Sequence, residues 1–254
     1  MNSLHKVVIF FAAVIVLAVL PSCTRVPDGA VPAREIVSFC VGDVTDDSAP
    51  EFLAISGSGK IETGEHHGQL LLVCDESAGD DLHSLGYIPA DKIRHSIDLT
   101  GIMPMKVQIG DIDGDGINEV AICVYKTAKF HEVMAKRPFF FDLVEGNLIP
   151  VWLGSRLSRP FDDYILYDIN ADDYDEIISI ELLENGSRVV TAYIWKGFGF
   201  EIIAESEGFN GQLRFDAEVT SQSGICVIFS SNKEKHELIF SLKDDSLVYE
   251  KINS

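Results

Sequence analysis

Three times along the chain an aspartate opens a nine-residue stretch in which oxygen-bearing side chains fall on alternate positions and a glutamate closes it: "DVTDDSAPE" from Asp43, "DIDGDGINE" from Asp111 and "DINADDYDE" from Asp168. Positions 1, 3, 5 and 9 are Asp43, Thr45, Asp47 and Glu51 in the first, Asp111, Asp113, Asp115 and Glu119 in the second, and Asp168, Asn170, Asp172 and Glu176 in the third. The apolar frame repeats in the same register, with Val44, Ile112 and Ile169 at position 2 and Phe52, Val120 and Ile177 at position 10. Each stretch runs into a short apolar segment rich in β-formers, so each reads as the turn of a hairpin. The starts lie 68 and 57 residues apart, a period that suits one four-stranded sheet per repeat and not a helical solenoid unit.

Alternate carboxylates in a tight turn converge on one point, where they repel unless a cation lies between them; a hard ion such as Ca²⁺ takes six to eight oxygens. The helix-flanked calcium loop needs a bidentate acid at position 12, and that position in the middle stretch is Ile122. The strand-flanked version fits. Position 6, where a left-handed residue eases the turn, is Gly116 in the middle loop but Ser48 and Asp173 in the others. The middle loop therefore carries the fullest set, the third comes next, and the first, with neutral Thr45, is the least complete.

Material for an outer hairpin follows each loop. "PFFFDLV", "EGN" and "LIPVWL" follow the middle one; "VVTAYIW", "KG" and "FGFEII" follow the third. A further step of 57 residues from Asp168 lands at Ile225, in a hairpin without the carboxylates, and "ELIFSL", "KDDS" and "LVYEKI" complete a fourth unit. The expected architecture is all-β: a propeller-like array of four four-stranded blades, at about 35–100, 101–158, 159–208 and 209–254.

With these loops the chain resembles the FG-GAP or VCBS repeats of integrin-alpha-like β-propellers, over roughly residues 35–254. The resemblance implies Ca²⁺ as cofactor and a ligand set that includes position 7: Ala49, Ile117 and Tyr174. It departs from the family at position 9, where glutamate replaces the usual aspartate.

The chain carries 20 basic against 40 acidic residues, a net charge of −20. That argues against nucleic acid as a partner and against electrostatic attachment to anionic lipid. "MNSLHK", the apolar run Val7 to Leu20 and "LPSC" resemble a bacterial lipoprotein signal over residues 1–22, with lipid on Cys23 and a proline-bearing tether over 23–34. The run is 14 residues, shorter than the ~20 needed to span a bilayer. The expected location is the bacterial cell envelope, membrane-anchored and facing the extracytoplasmic side. Cys40, Cys74, Cys123 and Cys226 each sit in an apolar strand-like run and read as small buried hydrophobes, without zinc spacing.

Catalytic signals fail. "GSGK" has Ala54 five residues before Gly59 and Ile61 where Ser or Thr is required for a phosphate loop, no G-x-S-x-G occurs, and "EHHG" reads as a solvated turn. The segment "KTAKFHEVMAKRP" interrupts the second blade, and with "WLGSRLSRP" it concentrates His131, Lys136, Arg137, Trp152, Arg156 and Arg159. Such a group suits an anionic ligand or partner, unless neighbouring acids neutralise it. Two function classes follow: a non-catalytic, lipid-anchored module that binds a glycan, peptide or envelope protein, or a polysaccharide hydrolase or lyase on the same scaffold. The absence of an acid pair or nucleophile arrangement favours the first.

Overall fold

The computed structural model describes residues 26–154, 156–221, 224–231 and 234–252. The expected signal segment and Cys23 lie outside them. Four four-stranded antiparallel sheets follow one another in the chain, each a simple meander. The first comprises β1 (Ile36–Gly42), β2 (Glu51–Ser56), β3 (Leu70–Asp75) and β4 (Ile93–Asp98), and the second β5 (Pro104–Gly110), β6 (Glu119–Ala128), β7 (His131–Val144) and β8 (Asn147–Leu153). The third holds β9 (Phe161–Tyr167), β10 (Glu176–Leu182), β11 (Arg188–Trp195) and β12 (Phe200–Glu205), and the fourth β13 (Gln212–Ser221), β14 (Gly224–Ser231), β15 (Glu234–Lys243) and β16 (Ser246–Lys251). The chain is thus all-β, without a closed barrel. The two-residue outer turns are built for hairpins: Glu145 and Gly146, and Asp244 and Asp245, all have positive φ, the geometry that matches strand twist.

The sheets stack face to face, which explains why their second strands are apolar at nearly every position and do not alternate. Along β6, Val120, Ile122 and Val124 face Leu53, Ile55 and Val73 of the first sheet, while Ala121 and Cys123 face Tyr164, Leu166 and Ile177 of the third sheet. Ile178 and Ile180 then pack with Val227, Leu238 and Phe240 of the fourth. Ile122 is fully buried between two sheets; cutting it to alanine costs about 2–5 kcal/mol of transfer and cavity energy.

The outer face of the first sheet is covered differently. A helix, α1 (Ala78–Leu85), lays Ala78 and Leu82 over Phe52, Ala54, Leu72 and Cys74. It ends at Gly86, left-handed at φ 78°, whose N–H bonds the Leu82 carbonyl at 3.1 Å. Val31–Pro32 pairs with Tyr87–Ile88 beside it, so the segment read as a tether is tied to the fold from Val31 onward. Among the described residues, no apolar cluster joins the first sheet to the fourth. Cys40, Cys74, Cys123 and Cys226 are buried free thiols, two of them in the first sheet.

The segment read as an interruption of the second blade is a continuation of its central hairpin. β6 and β7 stay paired as far as Ala128 and His131, with a bulge between Lys126 and Ala128. At its tip Phe130 is 86% exposed.

Candidate metal centre

Each acidic stretch joins the first and second strands of its sheet, and its closing glutamate is the first residue of the second strand. Glu51 pairs with Gly42, Glu119 with Gly110 and Glu176 with Tyr167. That pairing buries the three glutamates almost completely, at 1%, 2% and 0% exposure. The rest of each loop is wound by its own side chains. The position 2 N–H donates to the position 9 carboxylate at 3.2, 2.9 and 3.1 Å, and the position 6 N–H donates to the position 1 aspartate at 2.9, 2.9 and 3.1 Å. The position 7 N–H, of Ala49, Ile117 and Tyr174, donates to the position 5 aspartate at 2.8, 2.8 and 3.1 Å. Three segments with few shared residues thus adopt one hydrogen-bonded shape. Position 6 is left-handed in all three (Ser48 φ 65°, Gly116 φ 87°, Asp173 φ 71°), and so is position 4 (Asp46 φ 55°, Gly114 φ 80°, Ala171 φ 61°).

The loops differ in what neutralises them. In the middle one, an oxygen of each of Asp111, Asp113 and Asp115 lies within 4.8 Å of the others. No other His, Cys, Asp or Glu group among the described residues converges in this way. Burial, then the charges of Asp113 and Asp111, push the Glu119 carboxyl up to about 8 despite its bond from Ile112. Burial and Asp115 raise Asp113 as well. In the third loop the Asn170 amide donates to Asp172 and Glu176, both at 2.9 Å, and burial, then Asp172 and Asp168, push Glu176 up to about 8. The first loop has an internal cation: Arg94 on β4 reaches Glu51 at 3.2 Å while its Nε bonds Asp75 at 2.5 Å, and the Thr45 hydroxyl also donates to Glu51 at 3.2 Å. Nothing in the sequence around Glu51 signals Arg94, which lies 43 residues away.

The donor set of the middle loop is hard oxygen, the chemistry of Ca²⁺ and Mg²⁺ and not of a thiophilic metal. Each ionised carboxylate has about four lone-pair sites, so oxygens already holding loop N–H groups retain capacity for an ion. Asp111, Asp113 and Asp115 would supply it, with buried Glu119 beneath.

The loops also touch in series. The Asn118 side chain, at position 8 of the middle loop, donates to the Asp43 carbonyl at 2.7 Å, and the Asp175 N–H, at position 8 of the third, donates to the Asp111 carbonyl at 2.7 Å. Gly110 permits this approach: a Cβ there would lie 2.4 Å from the Asp175 carboxylate and 2.9 Å from Leu166. Burial, then Asp168, push the Asp175 carboxyl up to about 7.

The basic set does not assemble into one ligand site. Arg137 is completely buried and donates to the carbonyls of Lys126 (2.8 Å), His131 (3.0 Å) and Val133 (2.8 Å), with the His131 ring at 3.1 Å. Lys136 pairs with Glu65 at 2.6 Å, and Arg159 with the buried Glu181 at 3.0 Å and with Glu205 at 2.5 Å. Trp152 packs among Phe140, Trp195 and Phe200, which leaves Arg156 as the exposed member. Neighbouring acids thus neutralise Lys136 and Arg159, the alternative the sequence left open, and Arg137 is tied to backbone carbonyls. Nor does "GSGK" form a phosphate loop, since Gly59–Lys60 pairs with His66–His67.

No family model matches this chain, and a search of curated proteins returns no match. The resemblance to calcium-binding propeller repeats therefore rests on the three loops themselves.

Proposed function

We propose that this chain is a calcium-binding, β-propeller-like module of the FG-GAP or VCBS kind, held by lipid on Cys23 at the extracytoplasmic side of a bacterial envelope. Its role in this reading is to display a loop face to a glycan, peptide or envelope protein, with a polysaccharide hydrolase or lyase on the same scaffold as the second reading. The observation that carries the reading is the convergence of Asp111, Asp113 and Asp115 within 4.8 Å of one another, in a loop closed by the buried Glu119, whose carboxyl feels the charges of Asp113 and Asp111. Uncompensated, that arrangement is repulsive; a divalent cation converts it into an attractive one.

Calorimetric titration of chelator-stripped protein tests the calcium assignment. Saturable heat with Ca²⁺, weakened in Asp115→Ala and not reproduced by Mg²⁺ at the same concentration, is the expected result. Absence of any Ca²⁺-dependent heat or melting shift would overturn it. Labelling with a fatty-acid analogue tests the anchor separately: the intact chain takes label and Cys23→Ala does not.

A further inference from the structure

Between the outer strands of the first and second sheets lies an open cleft of about 510 Å³. It is lined by Phe139 and Phe141 of β7, by Ile97 of β4 and the following Leu99, and by Leu148 and Leu153 of β8. Its volume falls in the range of small-molecule sites, about 300–1,000 Å³. The charge of its lining sets it apart. The chain has 40 acidic residues, yet none lines this cleft, and its one charged side chain is Lys126. The Lys126 ammonium stands over the Phe139 ring, 5.7 Å from the centroid, and makes no ion pair with any described residue. The other cations of its hairpin are differently placed, since Lys136 pairs with Glu65 and Arg137 is enclosed by carbonyls. A largely apolar cleft with a single ammonium in its lining, and no ion-pair partner for it among the described residues, complements a molecule with an apolar chain and one negative head.

The walls also discriminate against an extended peptide as occupant. Peptide addition needs a regular row of free N–H and C=O groups on an edge strand. Both wall strands are edges guarded against it: β4 and β8 each join their sheet through a register break, at Val73/Cys74 and Phe140/Phe141, and β8 carries Pro150, which has no N–H to donate. Recognition here must come from side chains.

We propose that this cleft binds a single-chain amphipathic carboxylate, its alkyl chain along Phe139 and Phe141 and its head on the Lys126 ammonium. The proposal is independent of the calcium reading. Decanoate, titrated below its micelle concentration into the purified chain in calcium-free buffer, is the probe. The expected result is saturable one-site binding, with decanol about tenfold weaker because it lacks the charge-assisted contact. Lys126→Gln should lose a similar factor for decanoate and leave decanol unchanged, while Lys126→Arg retains decanoate binding. Leu153→Glu, at a site 51% exposed and so tolerant of a charge, should weaken both ligands. Non-saturable uptake, equal affinity for decanoate and decanol, or indifference to both the Lys126→Gln and Leu153→Glu changes would overturn the proposal. So would tight binding of an apolar peptide with none of decanoate.

Discussion

At φ 61°, Ala171 sits in the left-handed region, where its Cβ crowds the following carbonyl. The corresponding residue of the middle loop is Gly114. Ala171→Gly should therefore stabilise the protein by about 1 kcal/mol, a rise of roughly 2–4 °C in Tm, in scanning calorimetry. Gly110→Ala should act in the opposite direction, because its added methyl meets the Asp175 carboxylate and the Leu166 side chain. Arg137 presents a different case. It is a buried cation held by backbone carbonyls, and its Nη1 has no hydrogen-bond partner among the described residues. Removing it strands three carbonyls that curl over it, so Arg137→Ala should cost ~3 kcal/mol in denaturant unfolding. Phe130→Ser, at the exposed tip of the same hairpin, should leave the midpoint nearly unchanged. Residue types alone did not disclose this arrangement. A guanidinium in a basic, polar stretch reads as solvated, and its burial depends on the hairpin bending back over its own strand.

For the loop as an element, pH gives a test. Glu119 and Glu176 have carboxyls pushed up to about 8, against an ordinary value near 4.5. Between those values the folded, cation-free chain holds more protons than the unfolded chain, so its stability falls as pH rises from ~5 to ~8. Melting curves in chelator should show that decline, and saturating Ca²⁺ should suppress it, because the ion binds the deprotonated form. Calcium sites of extracellular modules typically have dissociation constants of ~0.1–1 mM, and a tenfold excess over that adds about 1.4 kcal/mol per site. Asp115→Ala should remove more of the Ca²⁺-dependent shift in Tm than Asp47→Ala, since Arg94 already neutralises part of the first loop. Much of this element was legible in the sequence. An acid eight residues after the first aspartate, followed at once by an apolar run, marks where the second strand starts in all three loops. The left-handed position 4 was not, because only Gly114 announces it while Asp46 and Ala171 do not. Helix α1 was likewise obscured, being eight residues long with only Ala78 and Leu82 buried.

Across the whole molecule, four meanders in chain order were readable from the repeat period and the turn residues. How they terminate was not. The outer face of the first sheet is sealed by α1, an element with no counterpart in the other repeats, and the burial that defines this seal involves residues far apart in sequence. The hydrogen bonds that run from Asn118 to Asp43 and from Asp175 to Asp111 have a consequence for the isotherm. An ion that fixes the first aspartate of one loop also fixes the carbonyl that receives the next loop, so ordering one site lowers the entropic cost of ordering its neighbour. Ca²⁺ uptake by the middle and third loops should then be cooperative, with a Hill coefficient above one, and Gly110→Ala, which forces the two loops apart, should return it to one. In the calcium-binding reading proposed above, two hairpins joined in this way respond to the ion as a single threshold device and not as separate buffers.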